Sequence, residues 1–345
     1  MPTVELERRP ITAPSLETLL GEYQDRVERG ESLPRFDYLK LETNAERLRE
    51  YFGSKSDELT FYNPSKPIVE NGQFLIAVRV EPRESENSLT FFFQKNPQEE
   101  VWRLAELPPI ELQDSFFLGR IEGRQIFGGV KTFPDPADPH RLAYQTAFWQ
   151  FENHLSELID STNEFRSPFF IGPVYMKGLR LIQLKEGRIG VFSRPQGGSF
   201  GPGQTAYTEI SSLSELSEAK IRQSNVVLSF AQNEWGGVND LSLLEDGRIG
   251  VIGHIACLRE NKKYYYPVSF IFNPIDTSIQ ELKVLAVPPA APFLQKAKNP
   301  NIGAVVYPTG YLVNPPAETG KQTGKLFAGF NDVASGEALI EHPFK

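Results

Sequence analysis

Two textures divide the chain. Over residues 1–58 the apolar positions recur with a helical period. Leu16, Leu19, Leu20, Tyr23 and Val27 share one face, Ser15 after Pro14 is placed to cap the helix, and Gly30 stops it after Arg29. A second, shorter helix is predicted over 43–52, because Thr43 and Glu46 have capping-box spacing and Gly53 follows. From Leu59 onward the pattern shortens to strands rich in Phe, Val, Ile, Tyr and Thr, punctuated by Gly and Pro. The division predicts a helical N-terminal extension (1–58) followed by an all-β domain (59–345).

Within the β region one phrase occurs twice, Leu-Lys-Glu-Gly-Arg-Ile-Gly-Val at 184–191 and Leu-Glu-Asp-Gly-Arg-Ile-Gly-Val at 244–251, 60 residues apart. Looser versions stand at 68–79, 121–130 and 324–330. Each reads as strand, Gly-bearing turn, strand, which is a hairpin. Hairpins repeated at this spacing predict radial repetition, and the fold class is read as a five-bladed β-propeller. Blade one covers 74–80, 89–94 and 102–104, and blade two starts near Asp114 and takes 125–133 and 142–151. Blade three runs from about 177 to 210, and blade four begins near Asn239 and ends over 266–272. Blade five takes 305–313 and 325–330, closing with the chain's ends or with 284–287. Short helices are expected at 154–160 and 213–223, and a Gly- and Pro-rich mobile loop at 196–204. The extension either packs on the propeller's side or mediates a homodimer.

Composition narrows the function. A net charge of -8 offers no field for nucleic acid or an anionic membrane, so an anionic ligand needs a local basic cluster. The N-terminus lacks an apolar h-region and no stretch approaches a membrane span, which predicts a soluble, cytoplasmic protein. The single cysteine, Cys257, lies in an apolar run and is expected to be a small buried side chain. His140, His154, His254 and His342 show no ligand spacing, so neither a metal nor a cofactor is expected.

A propeller gathers the ends of its inner strands around one channel. Just before the predicted inner strands lie Asn63, Gln113-Asp114, Lys177 with Arg180, and Asn239-Asp240. At the ends of the returning strands lie Arg79, Lys131, Arg194, His254 and Asn331-Asp332. Carboxylates, guanidinium groups and an imidazole in one pocket suggest a sugar beside an anion. Asp114, next to Phe116-Phe117, is the candidate acid, with partial desolvation expected to raise its pKa; the bland reading is a strand-end cap. Asp240 is either a second carboxylate or a turn residue. Arg180, Arg194 and His254 suit a phosphate, with an anion favouring protonated histidine, and Lys177 and Tyr264–Tyr266 are weaker members of the same cluster. Trp235 and Phe200 either stack on a sugar face or fill core space.

At these residues the chain resembles the family of domain of unknown function 1861. The resemblance spans roughly 60–344. It rests on Gln113-Asp114 followed by Gly-Arg-Gln-Ile-Phe-Gly-Gly-Val, on Met176-Lys177 with Arg180-Leu181, on Gly-Arg-Ile-Gly-Val-Phe-Ser-Arg-Pro-Gln-Gly, on Trp-Gly-Gly-Val-Asn, on Gly-His-Ile-Ala, and on Ala-Gly-Phe-Asn-Asp with Pro343-Phe344. That family is similar in fold to family 130 β-mannoside phosphorylases, and its trypanosomatid members are associated with making and phosphorolysing β-1,2-linked mannan. The resemblance implies Asp114 as the catalytic aspartate, Arg180, Arg194 and His254 at an anion site, and a mannoside with phosphate or a sugar phosphate as partners. The chain departs from the family pattern in having Gly178 where an acidic residue follows Met-Lys, and Gln113 and Ser115 in place of an acidic-proline pair.

Inverting phosphorolysis needs one acid and a bound phosphate, whereas inverting hydrolysis needs two carboxyl groups about 6.5–9.5 Å apart. One dominant aspartate with a basic cluster favours a β-mannoside phosphorylase or mannosyltransferase. The alternatives are a noncatalytic glycan-binding propeller and an inverting glycoside hydrolase using Asp114 and Asp240.

Overall fold

The computed structural model describes residues 10–288, 297–315 and 322–344. The strand-and-turn texture after Leu59 is realised as four hydrogen-bonded sheets. The first is built on the antiparallel strands Leu59–Tyr62, Gln73–Pro82, Leu89–Lys95 and Val101–Leu104, and the second on Gln113–Ile121, Arg124–Asp135, Asp138–Phe151 and Phe170–Ile171. The third takes Arg180–Gln183, Ile189–Ser193, Thr205–Ile210 and Asn225–Ser229. The largest, with eight strands, is two antiparallel runs: Glu234–Leu243 through Ile279–Val284, and Ile302–Val313 through Ala334–Glu341. They join where Lys263–Tyr265 pairs in parallel with Ile302–Val305.

The hairpin turns are where the repeated phrases predict them, and the backbone explains the residue types. Asn71-Gly72 and Glu122-Gly123 hold successive positive φ angles, 50° and 76° in the first and 50° and 80° in the second, as a two-residue hairpin with the twist of its strands requires. The two near-identical copies close alike: Leu184 N donates to Arg188 O (2.8 Å) and Leu244 N to Arg248 O (2.9 Å). The phrase at 324–330 lies within the strand Thr323–Phe330, and residues 316–321 before it are outside the described residues.

Consecutive leading strands touch in order: Gln73–Pro82 meets Gln113–Ile121, which meets Arg180–Gln183, then Glu234–Leu243, then Ile302–Val313. This last strand also meets Gln113–Ile121, while Leu59–Tyr62 packs against Thr323–Phe330 and Ala334–Glu341. Apolar side chains fill the spaces between sheets. Phe116 and Leu118 face Leu181 and Val191, and Phe192 and Tyr207 face Val251, Phe270 and Phe272.

The N-terminal segment is more than helical. Its first helix, Leu16–Glu28, is capped by Ser15 as expected and lays Leu16, Leu19 and Tyr23 on Ile255, Cys257, Tyr266 and Val268. Cys257 is accordingly a buried packing residue. The second helix, Ala45–Phe52, is capped by Asn44 rather than Thr43, the Asn44 side chain accepting from Arg47 N. Three short strands, which have too few residues to show a period, add to outer sheet edges. Ile11–Thr12 joins Leu228–Ser229, Phe36–Tyr38 joins Gly336–Ala338, and Lys40–Glu42 joins Val101–Arg103. Phe36–Tyr38 is thus the strand beside Ala334–Glu341, in the last antiparallel run, for which sequence offers the chain's ends or 284–287. Of the helices expected between hairpin units, 155–158 and 213–215 are 3₁₀ turns and Glu218–Arg222 is α-helical. Among the described residues no helix is long and apolar enough to cross a membrane.

Candidate active site

Three leading strands carry a register shift at the same depth. Between Gly128 and Val130 the facing residues are Phe116 and Gln113, so the chain bulges at Asp114-Ser115. Equivalent shifts lie between Val238 and Asp240 and between Pro308 and Gly310. Bulges turn side chains out of the sheet alternation, and these open onto one cavity. Several of its walls sit in left-handed backbone: Asn63 (φ 50°), Asp114 (48°), Asp332 (57°) and Gly178 (82°). Asn and Asp tolerate this region better than most residues. Gly178 takes this conformation with no Cβ to strain.

The cavity encloses about 290 Å³, the low end of ligand-pocket sizes. Of the residues singled out from sequence it brings together Asn63, Arg79, Asp114, Lys177, Arg180, Arg194, His254 and Asp332. Asp114, with its side chain 16% exposed, receives Asn63 Nδ2 (2.7 Å) and Arg79 Nη1 (3.3 Å), both on Oδ1. Among the described residues no protein donor reaches Oδ2. Burial pushes this carboxyl up, but Arg79, Lys177 and the Asn63 hydrogen bond outweigh it and hold its pKa below the ordinary value. The raised pKa expected from neighbouring phenylalanines is therefore corrected: cations, not apolar rings, dominate around Asp114. The raised carboxyl is Asp332, pushed by burial up to about 6 against the pull of Arg79, with Asp114's charge adding to the rise.

Opposite the carboxylates lies a cluster of cations. Arg180 donates to the carbonyls of Asn239 (2.7 Å) and Leu179 (2.9 Å) and stacks on Phe116, 3.6 Å from the ring centroid. Arg194 donates to the carbonyls of Gly236 (2.9 Å) and Pro202 (3.1 Å). Lys177 sits 5.6 Å over the Tyr144 ring. Among the described residues none of these three cations forms an ion pair with a carboxylate, although the chain as a whole is acidic. Held by carbonyls and rings, they keep their charge available for an anion. His254 Nδ1 faces Asn239 Oδ1 at 2.7 Å. An amide oxygen can only accept, so Nδ1 carries the hydrogen and Nε2 is the ring's acceptor. Burial, reinforced by Arg194, Lys177 and Arg180, lowers the His254 pKa well below the ordinary histidine value. The expectation of a protonated imidazole is corrected accordingly.

Four other predicted residues do not line the cavity. Asp240 is 2% exposed, and its oxygens are taken by Lys66 Nζ (2.6 Å), Leu241 N (2.9 Å) and Tyr311 N (2.8 Å). Asn239 lies one layer back, holding His254 and Arg180. Trp235 is buried behind Tyr265, its Nε1 3.4 Å from Tyr265 Oη. Lys131 stays in the sheet beside Gln145. Phe200 is exposed at the tip of the 196–204 loop, outside the cavity, and that loop is tied to Arg194 through the Pro202 carbonyl. Sequence reading missed Tyr307, Lys263, Lys298, Asn299 and Asn301, which form the remaining wall with Tyr265. Period-two alternation would have separated Tyr265 from its neighbours in the Tyr264–Tyr266 run. Nothing in the sequence marks 298–301, which reach the cavity through a parallel join. Among the described residues no cluster of three or more His, Cys, Asp or Glu side chains is placed to hold a metal ion.

A family model described as "Protein of unknown function (DUF1861)" matches residues 46–345. The chain belongs to the DUF1861 family. No curated protein matches the sequence. Among solved structures this DUF1861 member is similar to MPT-4, a mannose phosphorylase from Leishmania mexicana in complex with phosphate ion, at 24% identity and TM-score 0.73 over 95% of each chain. It is similar to MPT-1, a GDP-Man-dependent mannosyltransferase of the same organism, at 25% identity and TM-score 0.73 over 96% of each chain. The fold is also that of a β-1,2-mannobiose phosphorylase from Listeria innocua, at 12% identity and TM-score 0.59, covering 83% of this chain and 91% of that one.

Proposed function

We propose that the protein is a β-mannoside phosphorylase or mannosyltransferase, with its antiparallel runs closed as the five blades of a propeller around the cavity. The order of contacts among leading strands supports the closure. The carrying observation for the chemistry is the pairing, in one small cavity, of an ionised Asp114, whose Oδ2 receives no protein donor among the described residues, with three cations that form no ion pair with a carboxylate among those residues. MPT-4, similar in fold along nearly its whole length, was solved with a phosphate ion.

In the synthetic direction, the acceptor hydroxyl attacks the anomeric carbon of a mannosyl phosphate. The carbon–phosphate-oxygen bond breaks, phosphate is held by Arg180, Arg194 and Lys177, and Asp114 takes the hydroxyl proton. That step wants the carboxylate, the state that Arg79, Lys177 and Asn63 favour. In phosphorolysis, phosphate displaces the glycosidic oxygen and Asp114 returns the proton. An incoming phosphate dianion offsets the charges of Lys177 and Arg79 and so raises Asp114 toward its acid form. His254, neutral, accepts through Nε2 from a phosphate or sugar hydroxyl.

The hydrolase reading with Asp114 and Asp240 loses its second carboxylate, because both Asp240 oxygens are occupied outside the cavity. Asp332 does line the cavity, and it is what a hydrolase reading would rest on. Incubation with β-1,2-mannobiose separates the two. Release of mannose 1-phosphate only when inorganic phosphate is present supports the proposal, and mannose release in phosphate-free buffer supports hydrolysis. Binding of mannobiose without either product would leave a glycan-binding module. Mannose 1-phosphate with mannose as acceptor, read as released phosphate, tests the synthetic direction.

A further inference from the structure

Arg79 and Glu81 are two residues apart on the strand Gln73–Pro82 and therefore project to one face. Arg79 reaches the cavity. Glu81 does not line it and is wholly inaccessible to solvent. A buried carboxylate is costly unless its oxygens are satisfied, and here five donors from four side chains converge on it. Oε2 accepts from Arg79 Nε (3.2 Å), Arg79 Nη2 (3.0 Å) and Ser88 Oγ, while Oε1 accepts from Tyr62 Oη and Lys298 Nζ. A guanidinium is planar, so fixing Nε and Nη2 fixes the direction of Nη1, the atom that meets Asp114 Oδ1. The Tyr62 ring lies 4.9 Å from the Arg79 guanidinium and completes the clamp. Lys298 also pairs with Glu86 (3.1 Å), and Glu86 O accepts from Gln113 Nε2 (3.2 Å), so the same cluster joins three pieces of the cavity rim.

Resting on the assignment of Asp114 as the proton-transfer group, we propose that Glu81 is a positioning residue that aims Arg79 at Asp114 and thereby sets that carboxyl's readiness to give up its proton. The groups facing Asp114 in this arrangement are Asn63, Arg79, Lys177, Arg180, Tyr265, Tyr307 and Asp332. Freeing the guanidinium weakens the nearest of the cations that keep Asp114 ionised.

The test is Glu81→Gln, read by ¹³C carboxyl NMR with the Asp114 resonance identified through Asp114→Asn. The Asp114 titration midpoint is expected to shift by about one unit, within the range that a reoriented adjacent charge commands. In the mannoside assay kcat is expected to fall roughly 10- to 100-fold, the scale on which small misplacements act. KM for phosphate should hold within a small factor, because Arg180, Arg194 and Lys177 do not touch Glu81. A folded variant with an unmoved midpoint and unchanged kcat overturns the inference. Should Glu81→Gln fail to fold, Tyr62→Phe and Ser88→Ala each remove one donor, and a shift in the same direction supports the inference while its absence in both overturns it. If the wild type turns over no mannoside, the NMR shift still decides the role of Glu81, and the functional reading fails separately.

Discussion

Asp114 and Asp240 look alike in the sequence. Each follows an amide residue, each belongs to the leading strand of its run, and each stands at a register shift. The fold gives them opposite fates. Asp240 has a lysine and two backbone amides on its two oxygens, which makes it a bolt between Lys66 and the strand Ile302–Val313. Asp114 takes both of its donors on one oxygen and leaves the other to the cavity. What distinguishes a reactive carboxylate from a structural one here is not neighbouring charge, since both have a cation beside them. It is an oxygen with no protein donor.

The sharpest break between the two is mutational. Asp114→Asn should lower kcat/KM on mannosides about 10²- to 10⁴-fold, the contribution typical of a positioned proton-transfer group, while circular dichroism shows an intact fold. Asp240→Ala should do the reverse. It leaves Lys66 and two amides unpaired in the interior and should cost about 3–5 kcal/mol in denaturant unfolding, with kcat of the folded enzyme within a few-fold of wild type. An Asp240→Ala enzyme of normal stability and no activity would invert the assignment.

Much of this was legible beforehand, and the reasons are specific. Hairpin turns announce themselves through residues that tolerate positive φ, so the repeated Gly-Arg-Ile-Gly-Val phrase located the strands around it. Eight cavity residues were named because strand ends in a repeated sheet have a common address. What failed depended on one-residue shifts. A bulge at Asn239 changes which layer Asn239 and Asp240 occupy, and it leaves no mark in the pattern of apolar positions. The three N-terminal strands add to sheet edges, and two or three residues cannot display a period. Charge states also failed, because the neighbours that decide them are distant in sequence. Arg79 and Lys177 meet Asp114 only in space.

A smaller effect extends the comparison to Asp332, another carboxylate that lines the cavity. Its folded-state pKa, about 6, lies above the ordinary 3.8, so folding favours the protonated form. The resulting contribution to stability is complete below about pH 4 and is lost as pH rises through 6. Asp332→Asn removes a charge that the folded state holds unfavourably. It should therefore be more stable than wild type at pH 8 by an amount on the order of 2 kcal/mol, and nearly equal to it at pH 4. Asp114, whose pKa is depressed, predicts the opposite sign: Asp114→Asn should lose stability at neutral pH relative to wild type, and that deficit should shrink as acid protonates the wild-type carboxylate. Thermal melts of Asp332→Asn across pH 4–8 and of Asp114→Asn from pH 4 downward check the pair, and curves that run parallel to wild type in both windows would show that burial and Arg79 do not separate them.

The weakest predicted effect asks whether the same division between cavity and support holds for aromatic residues. Trp235 and Tyr265 touch edge to face at 5.8 Å, yet of the two only Tyr265 lines the cavity, and sequence leaves Trp235 open between stacking on a sugar face and filling core space. Trp235→Phe keeps an apolar ring behind Tyr265 and gives up a long contact to its hydroxyl, so its cost should be about 1 kcal/mol of stability. Mannobiose affinity by calorimetry should stay within about twofold, under half a kcal/mol. Tyr265→Ala removes a wall of the cavity itself and should weaken mannobiose binding about tenfold, on the scale of an aromatic face lost from a sugar. Were the ranking reversed, with Trp235→Phe abolishing binding and Tyr265→Ala tolerated, the tryptophan would have to swing into the cavity when ligand enters. The distinction between lining and supporting residues drawn from the empty site would then fail for Asp240 as well as for Trp235.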